Sequence, residues 1–454
     1  MLARNHRDIL STLGALCLAL TAQARSDQAA INRRTSGWAM EEQAREQTLV
    51  EVRHLLRSPL TTTSAVRIAL LNNRGLQATF EDIGLAQADL LEARTVPNPR
   101  LDVSARFPDK PPSGADVEWS IAQNFLNILM IPLKTKIARD QLLAVQLRVS
   151  AAIRELVATT KAALYELQAA EETLNRLTLE QATQSASLNF IQDLHEAGNV
   201  TDLRLLQQQA EYGQARLEIA QVEADVQTLR EKLNRLMGLW GGDTNWKLEP
   251  HVPEVPKEDL QIHGLETLAT TQRPDLAAAR TELETAVKAA GLEKNFRWLG
   301  ALDFGIDSER QSDGQTITGP TLSLELPIFN QGQARIARVN AAVRKAYDRL
   351  EEQAIDIRSE VREQRDTLNT IRATVEYYRD DLIPVRREIR DQFQLQYNAM
   401  VASPLELFTA RQQEIAAERA YIEAKRDYWV TRSELEKTVG GSLTRVSATV
   451  PAKD

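Results

Sequence analysis

The chain has 454 residues, a formal net charge of −8 and an aromatic content of 5 %. Ala, Leu, Gln, Glu and Arg dominate, which is typical of long helices with narrow apolar seams rather than of two or three globular domains. Charges of both signs are interspersed without a basic patch, which argues against a nucleic-acid partner.

The first residues, 1–24, have the features of a secretory signal peptide. Basic residues precede an apolar run over 9–20 that is too short to span a bilayer, and a small-x-small cleavage site ends at Ala24. The only cysteine, Cys17, lies inside the run. Lipidation at Cys17 needs a small preceding residue and Leu16 is not small, so lipidation stays a minor alternative. Residues 25–57 are polar, and we expect an extended or partly ordered arm.

A first repeat unit, 58–245, begins with a helix predicted over 59–96 and ends with a long helical hairpin. Between these, apolar and polar residues alternate over 101–107 and again over 117–121, which predicts two strands with one apolar face each. The next helix is predicted over 132–197, with seam residues three and four apart as in a coiled coil. About 66 helical residues span on the order of 100 Å. The seam residues of this helix and of the returning helix are Ile153, Leu156, Thr160, Ala163, Leu167, Ala170, Leu174, Leu177, Val222, Val226, Leu229, Leu233 and Leu236.

The plan then repeats over 265–441, after a proline-containing linker at 246–264 and before a C-terminal tail at 442–454. Its predicted elements are a helix over 265–296, strands over 302–307 and 321–326 around a turn at 308–314, and a long heptad helix with seam residues Leu368, Ile371, Val375, Tyr378, Leu382, Val385 and Ile389. Pro384 inside that helix predicts a kink or local unwinding.

The two hairpins share their helix-capping and helix-ending residues as well as the order of their elements. Laid together without a gap, 195–238 and 397–440 are identical at eight positions. Thr201 and Ser403 have the character of helix N-caps, and the stretch from Ser403 to Glu406 that of a capping box. Pro404 suits the first helical position, and a glycine ends each returning helix. We interpret the chain as a tandem duplication of a long helical hairpin.

The strands have the length and alternation of an outer-membrane barrel. Four strands cannot close such a barrel, and a sheet in lipid cannot keep open edges. If these strands lie in a membrane, the chain must share its barrel with copies of itself.

Several segments resemble the TolC-like outer-membrane efflux proteins. They are Asn73-Arg-Gly-Leu-Gln-Ala78, Val96-Pro-Asn-Pro-Arg-Leu101, Gln272-Arg-Pro-Asp-Leu276, the run from Gly319 to Ala334, and Tyr397 followed by a break and Ser403-Pro-Leu-Glu-Leu407. The resemblance covers about 59–441. It implies a mainly α fold with a small β part, in which long hairpins form a trimeric α-barrel and four strands per chain join a shared twelve-stranded transmembrane β-barrel.

The same resemblance implies a function and a location. The homotrimer would lie in bacterial outer-membrane lipid with a long periplasmic extension. It would passively conduct toxic solutes, metal ions or drugs, from an inner-membrane efflux transporter and a periplasmic adaptor (membrane-fusion) protein to the outside.

Enzymatic patterns are missing from the sequence, so we expect no enzyme, no cofactor and no metal site. The five histidines are scattered, and there is no phosphate loop and no Gly-x-Ser-x-Gly. The alternative function is a periplasmic coiled-coil adaptor or scaffold of an export system. Adaptors carry one hairpin per chain beside compact β modules, so two hairpins and four strands favour the duct.

Two groups of site residues follow from the hairpin plan and the resemblance. The tips lie far from the strands and are predicted to contact the adaptor through Gly198, Asn199, Thr201, Asp202, Ser403 and Pro404. In the resembling family, acidic helix ends narrow the periplasmic mouth. Alignment places Glu406 on such an acid and Tyr397 on a bonding tyrosine, whereas Arg204 stands where an acid is frequent. We expect Arg204 and Glu406 to alternate around the mouth of a trimer as an ion-pair gate. The alternative is two exposed charges that never meet.

Overall fold

The computed structural model describes residues 37–441 and 443, with gaps at 108, 110–113, 257–263, 299–301, 312 and 442. The predicted signal peptide with Cys17, the first part of the arm and most of the C-terminal tail lie outside the described residues. Within these ranges no helix combines the length and the apolar character needed to cross a membrane.

Ten α-helices and one four-stranded sheet are described in this part of the chain. The helices are α1 (Gly37–Leu55), α2 (Thr62–Asn72), α3 (Arg74–Arg94), α4 (Phe125–Glu196), α5 (Asp202–Met237), α6 (Leu265–Gln272), α7 (Pro274–Asn295), α8 (Gln333–Tyr377), α9 (Ile383–Asn398) and α10 (Pro404–Val439). The strands are β1 (Arg100–Arg106), β2 (Asp116–Asn124), β3 (Leu302–Arg310) and β4 (Thr316–Leu324). They form an antiparallel sheet in the order β1-β2-β3-β4, which brings one hairpin from each repeat together.

Part of the predicted arm is helical, which corrects the expectation of an extended or partly ordered segment. Helix α1 forms because Val52 is buried in the first hydrophobic core, with Leu55 and Leu56 packed against it. An ion pair between Glu51 and Arg67 also links α1 to α2.

Each helix predicted ahead of a β-hairpin is two helices. The break in the first repeat falls at Asn73, whose backbone is extended and whose side chain accepts a hydrogen bond from Leu76 N at 2.8 Å to cap α3. In the second repeat the break falls at Arg273, which is extended because a residue before proline avoids the helical region. The prediction of two continuous helices was therefore wrong at these positions.

The boundaries of α4 and of the strands also differ from the sequence predictions. Helix α4 starts at Phe125, ahead of Pro132, because the Asn124 side chain accepts a hydrogen bond from Asn127 N at 2.8 Å. Strand β3 continues through the start of the predicted turn, and β4 ends at Leu324. The turn is confined by the Gln311 N to Gln315 O hydrogen bond of 2.9 Å.

Each long helix packs against two shorter helices, which meet end to end along its length. Helix α4 has 72 residues, about 108 Å at 1.5 Å per residue. Helices α3 and α5 pack along its strand-side and tip-side halves, respectively. In the second repeat, α7 and α10 lie along α8 and α9 in the same way. The predicted seam of the first hairpin is confirmed, since Ala163, Leu167 and Leu233 are fully buried.

The junction between α5 and α3 is closed by two asparagines. Asn72 Nδ2 donates to the carbonyls of Met237 (3.0 Å) and Gly238 (2.8 Å), and Asn73 Nδ2 donates to Leu236 O at 2.8 Å. These bonds satisfy the carbonyls that a helix C-terminus leaves without partners. Gly238 takes φ 66°, and a Cβ there would lie 2.4 Å from Asn72 O, so the close approach requires glycine.

Arg273 closes the corresponding junction in the second repeat. Its guanidinium forms a fork with Asp275 at 3.0 and 2.7 Å and bonds Glu360 at 3.0 Å and the Thr438 carbonyl at 3.4 Å. Burial raises the pKa of the Asp275 carboxyl, but the Arg273 hydrogen bonds outweigh it and leave that pKa below its ordinary value. The Arg273 guanidinium thus donates to a carbonyl near the end of α10, as the Asn72 and Asn73 side-chain amides donate to carbonyls at the end of α5.

The linker between the repeats is packed, and it ties the two hairpins together. The buried Lys425 of α10 donates to Val252 O at 3.4 Å and lies 3.2 Å from the Glu254 carboxylate. Trp429 Nε1 donates to Pro253 O at 2.8 Å, while Gln168 of α4 donates to Glu249 O at 3.1 Å. The described part of the linker therefore contacts both repeats at mid-height.

A π-helical turn, Tyr378–Leu382, separates α8 from α9 and confirms the local unwinding predicted from Pro384. The wider turn shifts the helical phase. Val375 is fully buried before the turn, but Ile383 is buried after it and the predicted seam residue Val385 is exposed. The seam prediction was wrong at Val385 because a regular heptad was carried through the π turn.

Candidate functional site

The strand register sorts the sheet into an apolar and a polar face. Paired residues of antiparallel strands point to the same side, and Val103 pairs with Trp119, Leu101 with Ile121, and Phe304 with Leu322. We call this side the apolar strand face; it consists of Leu101, Val103, Val117, Trp119, Ile121, Leu302, Phe304, Ile306, Leu322 and Leu324. Most of these side chains are exposed in the single chain. An exposed apolar face of this extent indicates a surface that is covered in the working protein.

The opposite face carries charged and hydrogen-bonding groups. Arg106 lies 3.5 Å from Glu118 across β1 and β2, and Asn124 Nδ2 donates to Asp303 at 2.8 Å across β2 and β3. Thr321 donates to Asp307 across β3 and β4. A face of this kind is stable in contact with water.

At the first tip, Gly198 makes the turn that joins α4 to α5. It takes φ 75°, and its N–H donates to His195 O at 2.9 Å. Thr201 Oγ1 caps α5 by accepting from Arg204 N at 3.4 Å. His195 Nε2 lies 2.6 Å from Asp202 Oδ1, a cross-tip contact that the sequence analysis missed.

The second tip repeats the turn with a residue that the turn does not favour. Met400, at the position equivalent to Gly198, takes φ 58° and is 94 % exposed. A side chain in this region costs about 1–2 kcal/mol. The predicted capping box is present, since Ser403 Oγ accepts from Glu406 N and Glu406 Oε2 accepts from Ser403 N at 2.8 Å.

Arg204, Glu406 and Tyr397 are not brought together within one chain. Glu406 is held by the capping box and the Arg204 guanidinium lies 3.5 Å from Gln207 Oε1. Tyr397 is exposed. No ion pair joins Arg204 to Glu406 in the described residues. The predicted pairing links neighbouring copies, so it stays a prediction.

The hairpins are instead joined, above the tips, by ion pairs between helices. Arg419 of α10 lies 3.5 Å from Glu180 of α4 and also pairs with Glu218 of α5. Burial raises the pKa of the Glu180 carboxyl, and Arg419 opposes that rise. Because α10 meets both helices of the first hairpin here, this pairing fixes one hairpin against the other.

Helix α9 is held to α10 by a similar set of charges. Arg390 donates to both oxygens of the buried Glu414, at 2.9 and 3.0 Å. Arg387 lies 2.8 Å from Glu418, which also pairs with Arg176 of α4 at 3.1 Å. In the sequence these charges have the pattern of solvated helix faces. Their partners lie on other helices, so no local sequence pattern distinguishes them from such faces.

The duplication is matched by the family model described as outer membrane efflux protein, once at residues 65–239 and once at 266–441. The chain belongs to the outer membrane efflux protein family. The predicted family, fold class and outer-membrane location are thereby confirmed.

Proteins similar to this efflux protein match its sequence or its fold at low sequence identity. The cobalt-zinc-cadmium resistance protein CzcC of Cupriavidus metallidurans is 20 % identical over 337 residues, covering 72 % of this chain and 77 % of CzcC. The CmeC outer membrane channel of Campylobacter jejuni superposes with a TM-score of 0.72 at 18 % identity, covering 84 % of this chain and 85 % of CmeC. The MtrE outer membrane channel of Neisseria gonorrhoeae, in its open state, gives 0.70 at 17 % identity and covers 84 % and 89 %.

The family and the fold are those of efflux channels rather than of enzymes. In the part of the chain that the structure describes, no three His, Cys, Asp or Glu side chains are grouped to hold a metal ion.

Proposed function

We propose that three copies of this efflux protein form one continuous exit duct, with a twelve-stranded β-barrel in the outer membrane and an α-barrel below it. The apolar strand face carries the proposal. Most of its side chains are exposed in the single chain, while carboxylates occupy the other face. Four strands cannot close a barrel, and the free edges of β1 and β4 are not tolerated in lipid. Three sheets joined edge to edge satisfy both requirements.

In this proposal the duct consumes no fuel. An inner-membrane transporter supplies the work, and a periplasmic adaptor contacts the hairpin tips, which lie on the order of 100 Å from the strands by helix length. The residues expected at that contact are Gly198, Asn199, Thr201, Asp202, Ser403 and Pro404. The alternative of a periplasmic adaptor is disfavoured because the apolar strand face would then stand in water.

The hairpin tips are proposed to keep the mouth of the duct closed at rest. Arg204 and Glu406 of neighbouring copies would alternate around the mouth, with Tyr397 beside them. Only Ile383 of α9 is buried, and the Arg390–Glu414 pair holds this helix to α10. The π turn at Tyr378–Leu382 gives α9 a place to bend when an adaptor draws the tips apart.

The exported solutes are proposed to be toxic metal ions or drugs. The name of CzcC, a cobalt-zinc-cadmium resistance protein, supports testing divalent metal ions first. A strain lacking the gene should become more sensitive to one solute class, and the intact gene should restore resistance. Unchanged sensitivity to both classes, with the protein present in the parent strain, would contradict the assignment.

Assembly is tested separately on purified protein. Light scattering in detergent should give three chains per particle, and planar bilayers should show conducting channels. A stable monomer with intact strand content would refute the shared barrel.

A further inference from the structure

Among the helices that the structure describes, two stand at margins and pack on a neighbouring helix along one side only. In the strand-side half, packing contacts run from α3 to α4, from α4 to α7 and from α7 to α8. Helices α3 and α8 therefore stand at opposite margins. Since β1 follows α3 and β4 precedes α8, the two free sheet edges lie on the same margins.

The α3 margin is acidic. Between 75 and 93 the sequence has four acids and neither lysine nor arginine; the acids are Glu81, Asp82, Asp89 and Glu92. All four are exposed and have no ion-pair partner in the described part of the chain. The buried side of α3 carries Leu76 and Ala86. Helical periodicity places Glu81, Ala88 and Glu92 on the opposite side.

The α8 margin is basic over its first turns. Between 333 and 349 there are five cations and a single acid, Asp348. Arg335 lies 3.6 Å from Glu293, whereas Arg338, Arg344, Lys345 and Arg349 are exposed and have no ion-pair partner among the described residues. The core side of α8 is marked by Leu350 and Ile357, so Ala341, Arg344 and Lys345 face away from the chain's own core.

Three contacts fix the heights of these margins. Thr135 of α4 donates to Ala93 O of α3 at 3.3 Å, Lys288 of α7 lies 2.5 Å from Asp140 of α4, and Arg335 of α8 pairs with Glu293 of α7. The helices rise equally per residue and alternate in direction. Glu92 is therefore level with about residue 336, and Glu81 with about residue 347. The carboxylates and the cations stand at the same height on opposite margins.

We propose that α8 of one copy packs against α3 of the next, with Arg338, Arg344 and Lys345 on the carboxylates of Glu81, Asp89 and Glu92. The inference rests on the proposed function and names the surface that closes the ring. Contact of one margin with the other is head-to-tail, which suits a closed ring. It continues below the junction of β4 with the neighbour's β1. Opposed charges at such a surface steer association and reject mispaired partners.

Charge reversal tests the pairing. Arg344→Glu with Lys345→Glu, or Glu81→Lys with Asp89→Lys, should each lower the trimer-to-monomer ratio in low-salt detergent about tenfold. Combining all four changes in one chain should restore it. Lys136→Glu with Arg139→Glu, two exposed cations on α4, is the matched control and should leave assembly intact.

Co-expression gives a sharper outcome. Wild-type chains and four-change chains carrying a different tag should sort into separate trimers, because every mixed interface would oppose like charges. Statistical mixing of the two chains, or equal trimer loss in the control, would overturn the proposal.

Cross-linking tests the same contact without altering charge. A chain with Ala88→Cys and Ala341→Cys should give covalent oligomers with a short bis-maleimide, and either single variant should give none. Monomers only, from a preparation that is trimeric by light scattering, would also overturn it. A monomeric wild type would instead refute the shared barrel, which separates the two failures.

Discussion

Replacing Gly238 by alanine tests the end-to-end junction between α5 and α3. Any side chain at φ 66° costs about 1–2 kcal/mol. The new Cβ would also lie 2.4 Å from Asn72 O, about 1 Å inside the usual carbon–oxygen contact. Asn72 must then move, which strains its bonds to Met237 O and Gly238 O. Overpacking of this kind adds about 1–3 kcal/mol, so with the backbone cost of about 1–2 kcal/mol we expect a loss of about 2–5 kcal/mol in total.

Gly241→Ala is the matched control, because Gly241 has φ 60° and nothing within 4 Å of the added Cβ. It should lose only the backbone contribution, about 1–2 kcal/mol. Thermal unfolding of both proteins in one detergent, followed by circular dichroism at 222 nm, gives the comparison. Equal melting temperatures for the two variants would refute the close-approach reasoning.

Four further outcomes are expected. Leu324→Asp should reduce trimer stability in heat-stability gels more than Ser323→Asp, because a charge on a lipid face is destabilising, by about 2–4 kcal/mol for Arg or Lys and by less for Asp. Equal effects would show that the faces are assigned wrongly. Arg204→Glu should raise resting conductance in planar bilayers, and adding Glu406→Arg should restore closure; unchanged conductance would place the gate elsewhere. Asp202→Lys should weaken adaptor cross-linking without affecting outer-membrane insertion. His195→Gln, which breaks the same tip contact but keeps the Asp202 charge, should leave adaptor cross-linking unchanged. Equal losses of cross-linking in the two variants would assign Asp202 a local structural role. The lowered pKa of Asp275 contributes stability that is complete above its ordinary pKa of 3.8 and is lost as pH falls through the folded-state pKa. The difference in melting temperature between wild type and Asp275→Asn should therefore decrease as pH is lowered from the ordinary pKa of 3.8 through the folded-state pKa. A difference that does not change with pH would contradict this linkage.

Local patterns predicted most of the architecture because helices and strands are periodic. The heptad seam through Ala163 and Leu167 needed only the spacing of apolar residues, and the caps at Thr201 and Ser403 needed only their nearest neighbours. The four strands were recognised by alternation, although their ends were not. Strand ends depend on cross-strand partners such as Arg310 and Thr316, whose pairing alternation does not specify.

Contacts between distant segments account for what the sequence did not reveal. Asn72 bonds Gly238 and Arg273 bonds Thr438, yet each pair is separated by more than a hundred residues. The Arg419–Glu180 pair spans the two repeats in the same way. The seam shift at Val385 depends on one extra residue in a π turn, which Pro384 indicated only as a disturbance. The gate residues require neighbouring copies, so the single chain leaves Arg204 and Glu406 as a prediction.

The end-to-end junctions also make the protein separable into interchangeable halves. Of the described helices, only α4 and α8 run through mid-height from one half to the other. The shorter helices end at Gly238 and Gly440, and others begin after Asn73 and Arg273. To graft the tip half of another family member, one would keep the heptad register of α4 and α8 continuous across the graft. The capping contacts at the two end-to-end junctions would also have to be kept. These joints are natural crossover points for recombination, through which a duct could acquire a new docking end while its membrane end stays unchanged.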